Sequence, residues 1–572
     1  MNIVRGFHYV VCVVVLAVRL TSCGRDDNEP TAPATTSTPA TTTPAPPSPV
    51  ALTSVPKANL ATAGLDSRSV LSPELTQVVV AQGAIAIENA VTNFLFYGYS
   101  GDGPLVPAPG DVQTTTHNIE STKTEPDKNT YLVLTGQTGP TANLNYGTHF
   151  LFQGHELGVR NPATGNQRGS ITRINLDADE AHRITLMAST DVNGNPLPTF
   201  DGSTWNPFAQ RLLFTAELGN QGGVWQATAD FPARAEDLGG IMGRGGYEGI
   251  QNDSDGNLWI VEDVGGPNGT TNAQARQPNS FIYRFVPKDR TNLIQGGRLQ
   301  ALQVTSLANA GQPIVFHAGQ VDADILSRDV GDLHTYGNVF QTRWVTIHDT
   351  ATDGTAAFDA NARAKATNAT PFKRPENGVF RPGTSFMEFF FTETGDTNAN
   401  TQAGTNFGGF GGLFKLTQAN GPSADTGTLR LFYRGDGDHA GFDNLAFLTK
   451  DQLLVVEDRG DTLHRQRNAL DSGFVFDANA DYGNNSTSAP IRFLAQGRDA
   501  SATFDSQVLA AGGNGFQNDG DNEITGIHVS DGDSTTGGIL GAKLPDPFKN
   551  GWRVFYTQQH GDNVTYEILK QP

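Results

Sequence analysis

Only two cysteines occur among the 572 residues, Cys12 and Cys23, both near the N-terminus. The rest of the chain therefore has no internal disulfide, no nucleophilic thiolate and no multi-cysteine zinc site. Positive charge is also scarce, with 39 basic residues against 59 acidic ones and a formal charge of -20. No basic cluster stands out, so a nucleic-acid partner is not expected. Neither a Gly-x-Ser-x-Gly elbow nor a Walker-type phosphate loop is present, and no nucleophile triad is discernible. Long amphipathic helical patterns are few, and the apolar run Tyr9 to Val18 is too short to span a bilayer comfortably.

That run follows Arg5 and reads as the core of a signal peptide. Leu20-Thr21-Ser22-Cys23-Gly24 has the form of a lipobox, which makes Cys23 the expected lipidated residue and residues 1–23 an export signal. Residues 24–60 are rich in Pro and Thr and read as a linker, whose composition buries too little apolar surface to fold. Ser72-Pro73-Glu74 before Leu75 to Ala90 reads as a capped helix. The remaining body, 61–572, shows no second break in composition.

Within it, 65 glycines and many Asn, Asp, Thr and Pro residues separate short apolar runs, which points to an all-β class. Examples are Thr130–Leu134, Thr148–Phe152, Arg211–Thr215, Ser280–Phe285 and Gly412–Leu416. One stretch, Phe442 to Asp461, reads as a polar turn, then a buried strand, Leu453–Val456, and then a burst of acids at Glu457, Asp458 and Asp461. The pattern recurs at Tyr247 to Gly265 and, more loosely, at Met387 to Asp396. Recurring strands of this kind favour a β-propeller of about six blades, with peripheral helices and loops, over a sandwich. The strand before Asp458 is taken as the inner strand of its blade.

Glu156, Glu217, Glu248, Glu262, Asp263, Glu376, Glu393, Asp396, Glu457, Asp458 and Glu523 each sit beside the end of an apolar segment. In a propeller such ends surround one channel, so the carboxylates would converge and require cations between them. Any single one of them could equally be a solvated loop acid. Arg374-Pro375-Glu376 places a guanidinium and a carboxylate two residues apart, on one side of an extended backbone, where both could meet a phosphate and its metal. His155 and His560 offer imidazoles, although a lone histidine in a β protein is more often a hydrogen-bonded strut than a ligand.

The order of these motifs resembles the PhoX-type alkaline phosphatases over roughly His155 to His560. The resemblance is carried by His155-Glu156, Phe214-Thr215-Ala216-Glu217, Gly243 to Glu248, Arg374-Pro375-Glu376, Asn522 to Gly526 and Gln558 to Gly561. It implies an exported propeller that hydrolyses phosphate monoesters at a cluster of Ca2+ and Fe3+. It also implies metal ligation by Glu156, Glu217, Glu248, Glu376, Asp458 and Glu523, with Arg374 clamping the phosphoryl oxygens and Glu376 beside it in the catalytic site. The sequence departs from the family at Ala216, where relatives commonly carry cysteine, and an all-oxygen set suits Ca2+ better than thiolate-supported Fe3+. The expected protein is a monomer acting on a small phosphorylated substrate, with membrane contact only through Cys23. A phosphodiesterase or phytase-like propeller is a rival reading, and so is a non-catalytic binding propeller stabilised by calcium.

Overall fold

Short strands with abrupt Gly, Asn and Asp turns cannot cover themselves singly, and here they assemble into six consecutive antiparallel meanders. The structure is a computed structural model and describes residues 48–57, 69–102, 121–160, 167–484, 489–496, 523–559 and 563–572. Cys12, Cys23, the export signal, the linker before residue 48 and His560 lie outside the described residues.

Blade I begins with strand Pro126–Val133 and continues through His149–His155, Ile171–Asn175 and Ile184–Ala188. Blade II is Ser203–Asn206, Arg211–Ala216, Gly223–Ala227 and Ala235–Asp237. Blade III is Tyr247–Asn252, Leu258–Glu262, Ile282–Pro287 and Gly297–Val304, and blade IV is Gly378–Phe380, Glu388–Glu393, Gly412–Thr417 and Thr426–Arg434. The long strand Phe340–Asp349 joins the outer edges of these two into one nine-stranded sheet. Blade V is Phe442–Phe447, Gln452–Glu457, Ser472–Asp477 and Ile491–Gln496, extended by Ser69–Leu71. Blade VI is Glu523–Ser530, Arg553–Gln559 and Val564–Lys570, and its fourth strand, Leu75–Ala81, comes from the other end of the chain.

The first strand of each blade packs against the first strand of the next, from Pro126–Val133 round to Glu523–Ser530 and back, so the ring closes. The result is an all-β, propeller-like arrangement around a central channel. Closure by a strand from the opposite end of the chain leaves no gap in the ring and removes edges that would otherwise be exposed. Between blades the cores are aromatic: Trp259 meets Trp344, Phe380 and Phe389 with ring centroids 5.1, 5.0 and 4.8 Å away.

Two local expectations are corrected. Leu75 to Ala90 is no helix but strand Leu75–Ala81 followed by strand Ala86–Val91. Val78, Val79 and Val80 are β-branched, and sheet pairing with Val564–Lys570 outweighs the capping signal. In blade V the inner strand is Phe442–Phe447, and the run ending at Glu457 is the second strand. What reads as a polar turn, Phe442-Asp443-Asn444, is therefore buried channel wall. The segment 48–57 lies on the body, where the Val50 amide donates to Gln452 Oε1 at 2.7 Å and the Val55 amide to the Arg492 carbonyl at 2.9 Å.

Candidate metal centre

All six inner strands start at the same end of the channel, and each brings an acid there. These are Asp127, Asp201, Glu248, Glu376, Asp443 and Glu523, on or within two residues of the first strand of blades I to VI. The second strand of each blade runs back to that end and delivers the residue after its last pairing position. The residues so placed are Glu156, Glu217, Asp263, Thr394 and Asp458 for blades I to V. Register fixes this, since Pro126 pairs with His155, Tyr247 with Glu262 and Phe442 with Glu457, and the next residue of each strand faces inward. Glu523 likewise pairs with Gln559 in blade VI.

Six of these acids form two triads, all buried except the half-buried Glu156. In Asp127, Glu156 and Asp201, and again in Glu248, Glu376 and Asp443, one oxygen per residue lies within 4.8 Å of the others. Asp127 accepts from Thr525 Oγ1 and Gln559 Nε2, both at 2.7 Å, and Glu248 accepts from Asn377 Nδ2 at 2.9 Å. Asp201 Oδ1 and Asp443 Oδ2 are buried with no hydrogen-bond partner. A buried carboxylate oxygen without a partner is costly unless a cation completes it, so the donor set fits a metal. All these donors are oxygens, and no cysteine occurs among the described residues. Hard cations suit such a set, and a thiolate-supported Fe3+ pair finds no ligand in it.

Among the described residues, Lys128 and Arg374 bring positive charge to these acids. Lys128 is buried, with Nζ 3.4 Å from Asn377 Oδ1, and burial lowers its pKa despite the raising effect of Asp443, Asp127, Glu248 and Asp201. Arg374 lies at the mouth with its side chain 23% exposed. Its Nε donates to Asp263 Oδ2 at 2.9 Å, Nη2 lies 2.8 Å from the same oxygen, and Nη2 is 3.5 Å from Glu376 Oε1. Arg374 has φ of 54°, a left-handed conformation uncommon for any residue but glycine, and such strain concentrates at functional sites. Thr394, in the place where other blades carry an acid, donates its hydroxyl to Glu376.

Burial first, and then neighbouring charges, push the carboxyls of Asp127, Asp201, Glu217, Glu248, Glu376 and Glu523 well above their usual range. Burial also raises Asp443. In the metal-free protein these groups hold protons that the unfolded chain has lost once pH exceeds about 4. Their contribution to stability is therefore full below that pH and declines as pH rises. The metal-free melting temperature is expected to fall between about pH 5 and 8, while that of the metal-loaded protein holds, as read by calorimetry.

All six ligand positions expected from sequence come to this end of the channel, as does Arg374. Four further residues there were not anticipated as ligands or counter-charges: Asp127, Lys128, Asp201 and Asp443; Asp263, one of the acids expected to converge, is the partner of Arg374. Four other candidates turn away. Glu262 accepts from the Phe281 amide at 3.1 Å and Tyr283 Oη at 2.9 Å, and burial raises its pKa to about 8. Glu457 accepts from the Ala440 and Ser472 amides, both at 3.0 Å, and from Arg459 at 2.6 Å. Glu393 meets His334 Nε2 at 2.8 Å, and Asp396 meets Lys373 Nζ at 2.8 Å. Side chains alternate along a strand, so in Glu262-Asp263 and Glu457-Asp458 only the second acid faces inward. His155 is a strut: its ring nitrogens lie 2.9 Å from Thr124 Oγ1 and 2.8 Å from Thr172 Oγ1, and burial lowers its pKa to about 3.

Fold and site together define a propeller-like protein with clusters of carboxylates at one channel mouth that could hold a metal. Residues 271–535, a little under half of the chain, match the family model described as "Alkaline phosphatase PhoX", a match that supports PhoX-type membership. The match contains Arg374, Glu376, Asp443, Asp458 and Glu523. It supports a metal-dependent hydrolase of the alkaline phosphatase type.

No curated protein matches the chain. Among solved structures, the Dos1 propeller is 10% identical, with a TM-score of 0.29 over 77% of this chain and 92% of its own. A protein from Lactobacillus plantarum is 12% identical, with a TM-score of 0.28 over 74% of this chain and 98% of its own. Sqt1 from Saccharomyces cerevisiae is 8% identical, with a TM-score of 0.28 over 78% and 100%. These scores are too low to bear on fold or function. No helix among the described residues is long and apolar enough to cross a membrane.

Proposed function

We propose that the chain is a calcium-requiring phosphatase that hydrolyses phosphate monoesters outside the cytoplasm. The observation that carries this reading is the pair of largely buried carboxylate triads with Arg374 beside them at the open mouth. Asp127, Glu156, Asp201, Glu248, Glu376 and Asp443 would hold Ca2+, with Glu217, Asp458 and Glu523 completing the ring at the mouth. Bound cations would supply charge neutralisation and Lewis-acid polarisation of the phosphoryl group.

The chain's own part is electrostatic and positional. Arg374, fixed by Asp263, points a planar set of donors at the mouth and stabilises charge on the equatorial phosphoryl oxygens as the ester bond breaks. Lys128 offsets part of the negative charge from within the channel wall. The inner strands hold the carboxylates on rigid elements, so little reorganisation is needed during reaction. This chemistry requires no protein nucleophile, in keeping with the absence of a recognisable triad.

Export and anchoring through Cys23 belong to the same reading and are tested by labelling cells with a radioactive fatty acid and comparing Cys23→Ser. A second reading, a calcium-stabilised binding propeller without catalysis, is favoured by one observation: no cysteine stands among the described residues of the carboxylate centre to serve the iron site that the family resemblance implies. The two readings part in a direct assay. Full-length protein given 4-nitrophenyl phosphate should turn over with calcium, stop when EGTA is added and recover when calcium is restored. No calcium-dependent turnover of any phosphate ester would leave the binding reading in its place.

A further inference from the structure

Beside the mouth, on the rim of blades II and III, runs an open groove of about 660 Å³. Three of its wall segments lead directly from the metal centre. Leu218 is the peptide neighbour of Glu217, and Pro198 stands three residues before Asp201. Arg244 stands two residues before Gly246, whose backbone bridges to Glu217. Phe358 and Asp359 form the opposite side, tied in by a backbone bridge between Arg244 and Asp359.

Both charged side chains in the groove are already committed. Arg244 pairs with Asp237, donates to the Gly222 carbonyl at 3.2 Å and lies 5.1 Å over the Trp225 ring. Asp359 Oδ1 accepts from the Ala362 amide at 2.8 Å, capping the short helix Ala360–Ala366. Beside about as much polar surface, Leu218, 44% exposed, together with Pro196 and Pro198, gives a ligand an apolar wall. The amides of Asn220 and Gln221 add an uncharged polar edge. The groove thus contrasts with the charged centre next to it, and its size is that of a small-molecule subsite.

We propose that this groove is the leaving-group subsite and favours phosphate monoesters of flat, uncharged aryl alcohols over those of small alkyl alcohols. The inference rests on the phosphomonoesterase reading above. With the phosphoryl group at Arg374 and the carboxylates, the alcohol would extend past Glu217 onto Leu218. Water oxygen bonds to phosphorus as the ester P–O bond breaks, and the water's proton leaves with the alcohol.

The test is steady-state hydrolysis of 1-naphthyl phosphate and methyl phosphate by the calcium-loaded full chain. Two exposed variants are compared with the parent: Leu218→Ser, which removes apolar wall, and Asn220→Trp, which fills the groove. The parent should prefer the naphthyl ester in kcat/KM by at least about tenfold, with the better aryloxide leaving group and the apolar contact both contributing, so the variants isolate the contact. Each variant should raise KM for that ester by about tenfold and leave methyl phosphate within about twofold. Melting temperatures confirm that both variants fold. Equal loss on the two esters, no loss on either, or a parent without preference overturns the subsite alone. A parent that hydrolyses neither ester overturns the phosphomonoesterase reading and the subsite with it.

Discussion

Replacing Arg374 by alanine is expected to lower kcat/KM for a phosphate monoester by about 10²–10³-fold, the usual loss when a preorganised donor to transition-state charge is removed. Its guanidinium is held against Asp263 by two contacts below 3 Å while remaining partly open to the mouth. A structural ion pair has no need of that opening, nor of a left-handed backbone at the cation. The control is Arg374→Lys, which keeps a positive charge near Asp263 but loses the planar fork. Lysine should restore most of the melting temperature and little of the activity. A purely structural arginine would give the reverse, with activity following stability in both variants. Steady-state kinetics beside calorimetry separates the two, and elemental analysis shows whether calcium content has changed.

The acids found from sequence include three that end an apolar run, Glu156, Glu217 and Asp458, and three that begin one, Glu248, Glu376 and Glu523, which stand in motifs of the family resemblance. The other acids at the start of a run, Asp127, Asp201 and Asp443, were less visible. Asp443 stands inside the stretch from Phe442 to Asp461, but as part of Phe442-Asp443-Asn444 it resembles a turn, because sequence does not reveal that the strand pairs in front of it is another strand's edge. A signal was present all the same: Phe200-Asp201, Tyr247-Glu248 and Phe442-Asp443 each place an aromatic residue directly before the acid. In all three the aromatic is buried and the acid faces the channel. Pairing partners decided the remainder. The contrast between Glu457 and Asp458 follows from strand alternation once the register is known, and the register depends on contacts far apart in sequence. The helix expected at Leu75 failed for the same reason, since its partner strand, Val564–Lys570, lies at the other end of the chain.

The protein elsewhere neutralises buried acids from within, as Lys373 does for Asp396 and Arg459 for Glu457. Among the described residues at the channel mouth, ten carboxyl groups lie around Lys128 and Arg374, an excess of negative charge that bound cations would offset. Glu376→Gln turns this imbalance into a test with opposite signs. Glutamine keeps the oxygen that accepts the Thr394 hydroxyl but removes a charge that burial and Asp263, Asp443 and Asp458 oppose. In EGTA at pH 8 the variant should melt above the parent, because one crowded carboxylate is gone. In calcium it should melt below the parent, because a ligand has been lost and apparent calcium affinity has fallen by at least about 10–100-fold. Activity should fall with calcium occupancy and recover in part at high calcium. Melting curves that shift the same way in both conditions would show that Glu376 is not a ligand, and crossed shifts with no activity in the parent would favour the binding propeller. Crossed shifts together with calcium-dependent turnover that falls in the variant are the outcome the phosphatase reading requires.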